Sequence, residues 1–450
     1  MASLVDFAYY GGLMLASPLL LWKVLQRRGR RHLAGLRQRL GDCPRRDDER
    51  PCIWIHGVSV GEIRAARTLV EAIERELPDF EIVLSTTTGT GQEVARATYP
   101  GKRVIYFPLD FSWSVGRVFR AVRPDVVILV ELEIWPNFLQ EAHRRRIPVA
   151  LVNGRISARS YNGYRLVRGW LFDPIGKIGR FFVQTERYAE RFRRLGIPAS
   201  QIHVTGSVKY DMLVAPEPVD PAAVRADLGV ATDDLVLMGG STHPSEEAAL
   251  LEVYRELRHD FPRLRLVLVP RHTERTGEVE ALARPFGPVV RRTTRQASGA
   301  REPMPTGDVL LVDTVGELGR LYSAADLVFV GGSLIPHGGQ NMLEPVLYGK
   351  PTLFGPHWDN FREPVERLLA ARGAREVADR AELLGAAREL LHDPAEAAAM
   401  GARGREAMIG AQGATARTME ILTRAIRARG SRPGSGRWGR RRRRLSAGAG

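Results

Sequence analysis

The sequence predicts an α/β protein of two doubly wound domains facing a common cleft, preceded by an apolar N-terminal helix. Three observations carry this reading. The chain has 450 residues, too many for one ordinary core and enough for two domains of roughly 150–200 residues. Two stretches, Cys52 to about Gly206 and Leu235 to Phe354, alternate short β-branched runs with helical spacing, the pattern of a parallel sheet covered on both faces. Between them Met212–Ala222 carries Pro216, Pro218 and Pro221 and reads as a linker. The expected domains are 1–31 (anchor and basic flank), 32–211, a linker at 212–224, 225–428 with its closing helices, and a disordered tail at 429–450.

Residues 2–22 form an apolar stretch of a length that can span a bilayer core, about 20 residues, with Asp6 and Pro18 as interruptions. It has no basic n-region and no small-residue cleavage site, so a cleaved signal peptide is not expected. The arginines that follow predict a cytoplasmic body. Three roles stay open for the stretch: spanning the membrane, lying in its interface, or docking on the protein itself. Anionic headgroups beside Arg27–Arg31 would add about 1 kcal/mol per charge.

The formal net charge is +15, yet it belongs to the two ends. Residues 23–39 carry seven positive charges and Arg424–Arg444 ten, with no acid in either stretch. Together they exceed the net charge, so the body is nearly neutral. That argues against a nucleic-acid groove built into the fold. The two cysteines, Cys43 and Cys52, give no disulfide framework and no metal spacing.

In the first domain the expected strands are Ile53–Ile55, Ile82–Ser85, Val104–Tyr106, Val126–Val130, Val149–Val152, Phe181–Gln184 and Ile202–Thr205. The stretch Cys52–Glu62 reads as strand, tight loop and helix, with Gly57, Ser59 and Gly61 in the loop. Glu62 falls in the helix's first turn, where the dipole favours an ionised carboxylate. It can serve as a general base, or it can be an ordinary capping residue. Glu131 and Glu133 follow the strand Val126–Val130. They can bind a divalent metal or sit near an acceptor, and a second carboxylate close to Glu62 would raise a pKa.

Lys209 is one of only five lysines against 61 arginines, and it stands at the end of the domain. It is either a cleft residue or an isolated surface charge. Arg155–Trp170 interleaves Arg155, Arg159, Arg165 and Arg168 with Tyr161, Tyr164 and Trp170. This can grip an anionic headgroup or be a solvated helix face.

In the second domain the expected strands are Leu235–Met238, Leu266–Val269, Val309–Val312, Leu327–Val330 and Thr352–Phe354. The loop Gly331–Gln340 lets backbone approach a phosphate, and a helix from about Asn341 would aim N–H groups at it. Glu344, one turn in, can accept hydrogen bonds from a ribose diol. Pro270-Arg271-His272 ends one strand with a cation suited to phosphate. Val315-Gly316-Glu317 opens a helix after another. His243 and His272 are either phosphate donors or incidental loop histidines. No P-loop, nucleophile elbow or His/Cys ligand cluster is present.

These residues carry a resemblance. The set His56–Glu62, Glu131–Asn137, Asn153–Ser157, Gly206–Asp211, Ser241–His243, Pro270–His272 and Gly331–Pro345 is similar to the 3-deoxy-D-manno-octulosonic acid (Kdo) transferases of lipopolysaccharide synthesis. The likeness runs in order from the N-terminal stretch to about residue 425. It departs at Gly57, where the family has Ser or Ala, and in the arginine tail, which is outside the pattern.

The resemblance implies a GT-B fold and inverting transfer of Kdo from CMP-Kdo to a hydroxyl of a lipid A precursor, at the cytoplasmic face of the cell inner membrane. Glu62 matches the catalytic base; Glu131 and Lys209 match residues that stabilise the transition state. Pro270 and Arg271, Val315, Gly316 and Glu317, and Asn341, Met342, Leu343 and Glu344 match the stretches that hold CMP. Arg155 and Arg159 are the expected acceptor-binding residues. No metal and no cofactor are expected, and the partners are CMP-Kdo, the lipid acceptor and an anionic membrane surface, with no nucleic acid. Two alternatives stand beside this: another GT-B enzyme such as a UDP-sugar transferase or epimerase, and a basic membrane-surface scaffold.

Overall fold

A computed structural model describes Asp6 and residues 35–167, 174–213, 219–299 and 302–430. The chain forms two units. The first takes residues up to Leu213 and resumes at Ala411; the second is Val214–Gly410.

The first unit holds seven strands: β1 (Cys52–His56), β2 (Glu81–Thr86), β3 (Arg103–Tyr106), β4 (Val126–Val130), β5 (Val149–Gly154), β6 (Arg180–Val183) and β7 (Ile202–Val204). They lie in the order β3-β2-β1-β4-β5-β6-β7 and every pair is parallel. The order reverses between β1 and β4, where His56 pairs with Leu129. In such sheets the crevice beyond the strand ends at the reversal is where ligands bind.

Alternation along the buried strands divides the core into two layers. Trp54, Val127 and Leu129 pack on one face with Phe119 and Phe138, while Ile53, Ile55, Val126 and Ile128 pack on the other with Leu69 and Ile73. Trp54 meets Phe119 and Phe138 edge-on at 5.3 and 5.0 Å, and its indole N–H donates to Ser85 Oγ at 2.8 Å.

The second unit also holds seven strands: β8 (Leu235–Thr242), β9 (Leu264–Pro270), β10 (Val289–Arg291), β11 (Val309–Leu311), β12 (Leu327–Val330), β13 (Thr352–Phe354) and β14 (Arg375–Glu376). Their order is β10-β11-β9-β8-β12-β13-β14, again all parallel, and here the reversal falls between β8 and β12. The strands β10 and β14 have no counterpart in the sequence reading.

The domain boundary differs from expectation at the C-terminus. Residues 411–428, expected to close the second domain, belong to the first. Helix Ala414–Gly430 places Met419, Leu422 and Ile426 in the same apolar layer as Leu69, Val70 and Ile73. The Asp211 carboxylate fixes its start by accepting from the backbone N–H groups of Gly413, Ala414 and Thr415 at 2.6, 3.2 and 2.5 Å.

Pro221–Leu228, expected to straddle the end of the linker at 224, is a helix capped by Asp220. The expected anchor (1–31, Asp6 excepted) and the tail beyond Gly430 lie outside the described residues. Asp6, which interrupts the apolar stretch, is buried and accepts from Ser112 N and Oγ and from Asn137 Nδ2 at 2.9, 2.5 and 2.9 Å. Among the described residues no helix is long and apolar enough to cross a membrane.

Candidate active site

In the first unit the site grows from the ends of β1, β4 and β5. His56 closes β1, buried and stacked on Phe107 with ring centroids 3.7 Å apart. Burial holds its imidazole down at about 3, against the hydrogen bond with the Ser85 carbonyl, so the ring is neutral and structural. Gly57 comes next, where the chain passes close to the following helix. A Cβ there would lie 3.2 Å from Glu62 Cβ.

Ser59 then caps helix Val60–Ala65, accepting from Glu62 N at 3.2 Å, while Ser59 Oγ donates back to Glu62 Oε1 at 2.9 Å. Val58 N donates to Glu62 Oε2 at 2.6 Å. Glu62 therefore does cap the helix start, in a variant of the capping box whose carboxylate reaches Val58 N and Ser59 Oγ rather than the Ser59 backbone N–H. The same bonds pin its half-buried carboxylate at the switch-point edge of the sheet, each oxygen keeping a further lone pair.

Glu131 is the first residue past β4 and sits at φ 62°, a left-handed turn that redirects the chain. Its buried carboxylate is shared by two cations. Arg155 Nε donates to Oε2 at 2.7 Å and Lys209 Nζ to Oε1 at 2.9 Å. Asn153, at φ 57° near the end of β5, steers both partners: Arg155 follows two residues later, and Asn153 Oδ1 accepts from Val208 N at 3.2 Å. Glu131, Lys209 and Arg155, three separate expectations, thus form one network.

Glu133 completes the group. Trp135 Nε1 donates to Glu133 Oε2 at 2.9 Å, and the Trp135 ring packs on Phe107 at 5.6 Å, which ties Glu133 to the end of β1. Burial first, then the charge on Glu62, push the Glu133 carboxyl up to about 7, against the Trp135 hydrogen bond.

Arg159 is not brought in. It lies exposed on helix Ala158–Val167 and, among the described residues, joins none of these pairs. Arg165 covers the Tyr161 ring at 5.9 Å, while Arg168 and Trp170 lie outside the described residues. A cavity of about 1280 Å³ opens at the opposite edge of this sheet, among the strand starts Val126, Val149 and Arg180, and contains none of the acids above.

In the second unit the expected nucleotide residues all lie at strand ends on one edge. Pro270 is the buried end of β9, and Arg271 N donates to Thr242 O at 2.9 Å, leaving its guanidinium exposed. After β11 come Val315, largely exposed, Gly316 at φ 90°, and Glu317, which begins helix Leu318–Leu321. Burial pushes the Glu317 carboxyl up, but hydrogen bonds from Arg292, Thr314 and Arg320 outweigh it and hold the group below its ordinary range.

After β12 the glycine loop crosses the end of β8 so closely that a Cβ on Gly331 would collide with the Ser241 carbonyl oxygen. Asn341 precedes helix Leu343–Leu347, with Oδ1 accepting from Leu343 N at 3.2 Å and Nδ2 donating to Glu344 Oε1 at 2.8 Å. Met342 and Leu343 are buried beneath it. A Cβ on Gly319 would lie 4.0 Å from Glu344 Oε2, so the stretches after β11 and β12 adjoin.

One residue escaped the sequence reading. Glu246, buried at the start of helix Glu246–Asp260, accepts from His243 N, Gly332 N, Ser333 N and Leu334 N at 3.0, 2.7, 3.0 and 3.0 Å. It staples the glycine loop to the end of β8. Its only local signal is an acid in a first helical turn, which is commonplace. Among the described residues no group of three or more His, Cys, Asp or Glu is arranged to hold a metal ion.

Comparison with known proteins gives a consistent set of likenesses. A family model described as 3-deoxy-D-manno-octulosonic-acid transferase (kdotransferase) matches residues 34–212. The 3-deoxy-D-manno-octulosonic acid transferase of Haemophilus influenzae is 33% identical over 427 residues, covering 92% of this chain and 97% of that protein. The enzyme of the same name from Bordetella pertussis is 34% identical over 380 residues, covering 82% and 86%. Among solved structures, the UDP-GlcNAc 2-epimerase of Neisseria meningitidis superposes with a TM-score of 0.52 at 14% identity, covering 83% of this chain and 100% of that one. That likeness shows the fold, two Rossmann-like units of the GT-B kind.

Proposed function

The chain belongs to the 3-deoxy-D-manno-octulosonic acid (Kdo) transferase family and is a glycosyltransferase; from that premise we propose that it moves Kdo from CMP-Kdo to a hydroxyl of a lipid A precursor, with inversion. The observation that carries this reading is the cluster at the β1–β4 switch point, where Glu62 is pinned at the same edge as the Glu131–Lys209–Arg155 network.

In this reading Glu62 accepts the proton of the acceptor hydroxyl. The freed oxygen attacks C2 of Kdo from the side opposite the phosphate, and the C2–O bond to phosphate breaks as the new bond forms. The electron pair leaves with cytidylate, so the configuration at C2 inverts. Lys209, held by Glu131, supplies positive charge during transfer, and Arg155 stands ready for an anionic acceptor. Arg271, the backbone N–H groups of the glycine loop, and the Val315–Glu317 and Asn341–Glu344 stretches hold CMP. Fixed donors and cations aimed at developing charge are the largest source of rate in such reactions.

A place at the cytoplasmic face of the inner membrane is part of the same proposal. It is supported by the apolar stretch 2–22 and the arginines Arg27–Arg31 after it.

The test is Glu62→Gln, which keeps an acceptor oxygen for the capping bonds. Transfer of labelled Kdo to a lipid A precursor should be lost while calorimetric CMP binding persists. Substantial residual transfer removes Glu62 as the base, and a preference for UDP over CMP in wild type would move the chain to a different donor.

A further inference from the structure

Three imidazoles converge where β8, β9 and β12 end. His243 follows β8, His272 follows β9, and His337 lies in the glycine loop after β12. The His243 and His337 ring centroids are 4.3 Å apart, and His272 meets His243 edge-on at 6.0 Å. His243 is buried, whereas His272 and His337 are exposed. Gln340 Nε2 stands 3.0 Å from His243 Nε2. With the amide N–H donating, that ring nitrogen is the acceptor and the proton rides on Nδ1.

The charges around His243 are one-sided. His337, His272, Arg275 and Arg271 all face it, and burial followed by their fields holds its imidazole down at about 4. Arg275 is answered by Glu247 and Glu278, each at 2.8 Å. Glu246, the acid beneath, has its carboxylate engaged by four backbone N–H groups, that of His243 among them. Among the described residues no carboxylate pairs with Arg271. Arg271, unpaired with any carboxylate among the described residues, and three adjoining imidazoles at a switch-point edge make a site for an anion.

We propose that His243, His272 and His337 form a proton-linked anion subsite for the nucleotide-sugar donor, one that takes up a proton as it takes up the ligand's negative charge. The inference rests on the reading of this edge as the CMP-Kdo site. An anion set beside His243 reverses the local field and favours the charged ring. Gln340 then turns its carboxamide so that its oxygen accepts from the newly protonated Nε2. The anion is the phosphate of cytidylate or the carboxylate of the sugar, and the two sources separate on the choice of ligand.

The experiment is isothermal titration of the full chain at pH 7.5 with CMP, CMP-Kdo and cytidine, in two buffers of different ionisation enthalpy. It is repeated on His272→Gln, His337→Gln and the double variant. The exposed pair is chosen because its replacement leaves the core untouched. The second ionisation of CMP, at about 6, contributes equally in every protein, so the difference between wild type and variants isolates the histidines.

The expected result is net proton uptake by wild type shared among the three rings, about tenfold weaker CMP binding in the double variant with an altered uptake, and unchanged cytidine affinity. If uptake and the effect of the variants appear only with CMP-Kdo, the subsite stands and its anion is the carboxylate. Buffer-independent enthalpies with equal affinities in all proteins overturn the subsite and leave the CMP site intact. Failure of wild type to bind CMP or CMP-Kdo overturns both.

Discussion

Replacing Glu133 by glutamine tests the electrostatics of the first unit directly. Its carboxyl is raised from 4.5 to about 7 by burial and by the charge on Glu62, with Glu131 adding to it and Trp135 opposing. Between those two values the folded chain holds a proton that the unfolded chain releases. The stability this contributes is complete below about 4.5 and is lost as pH rises through about 7. At 1.36 kcal/mol per pH unit the full gap corresponds to about 3 kcal/mol at pH 8. Solvent reaching the partly exposed side chain reduces that to about 1–2 kcal/mol.

A glutamine side chain at this position cannot ionise, yet it offers the same oxygen to the Trp135 indole. Glu133→Gln should therefore stabilise the protein by about 1–2 kcal/mol at pH 8 and by much less at pH 5, read from urea midpoints at the two pH values. Transfer should respond as well. The charge that appears on Glu133 as pH rises faces the proposed base, Glu62. The rise in wild-type kcat/KM through about pH 7 should be missing from the variant. An equal shift of midpoint at both pH values, together with an unaltered rate profile, refutes the reasoning.

Two further outcomes follow from the same contacts. Lys209→Met leaves Glu131 paired with Arg155 alone and should lower kcat by about 10²–10³-fold with little change in KM; an unchanged kcat in single-turnover transfer removes Lys209 from the chemistry. Glu246→Gln replaces a four-bond acceptor with a group whose amide end confronts N–H donors. It should destabilise the second unit by about 2–4 kcal/mol and weaken CMP binding, and an unmoved denaturation midpoint with intact CMP affinity would show that the glycine loop is held by other means.

Much of the scaffold could be read from the chain because parallel strands buried on both faces leave an unbroken apolar record. Val126–Val130 and Leu327–Val330 are examples, wholly buried in the structure. Val289–Arg291 and Arg375–Glu376 left no such record. They are two- and three-residue edge strands, largely half-exposed, that exist because β11 and β13 offer them partners. The last helix was legible as a helix but not in its allegiance. The apolar stripe of Met419, Leu422 and Ile426 suits either unit, and the choice rests on Asp211 capping residues more than 200 positions away.

The acids and cations of the site were each visible by type: Glu131 stands just after an apolar run, Glu62 in a first helical turn behind a small-residue loop, and Lys209 is one of five lysines in the chain. Their grouping was not visible. It depends on Glu131 turning left-handed at φ 62° and on Asn153 steering Arg155 and Lys209 to the two oxygens of a single carboxylate.

The sign of charge at each switch point has a chemical reason. The first unit gathers carboxylates, Glu62, Glu131 and Glu133, and directs its two nearby cations to Glu131 alone. The second gathers Arg271 and three imidazoles, and its nearby acids are already engaged, Glu246 by backbone and Glu317 by Arg292 and Arg320. In the proposed mechanism Glu62 must stay free of a cation until the acceptor arrives, and Arg271 free of a carboxylate until the donor does. With the proposed base on one sheet and the proposed anion site on another, Glu62 and Arg271 each stay unpaired by an opposite charge of their own unit until a substrate answers them.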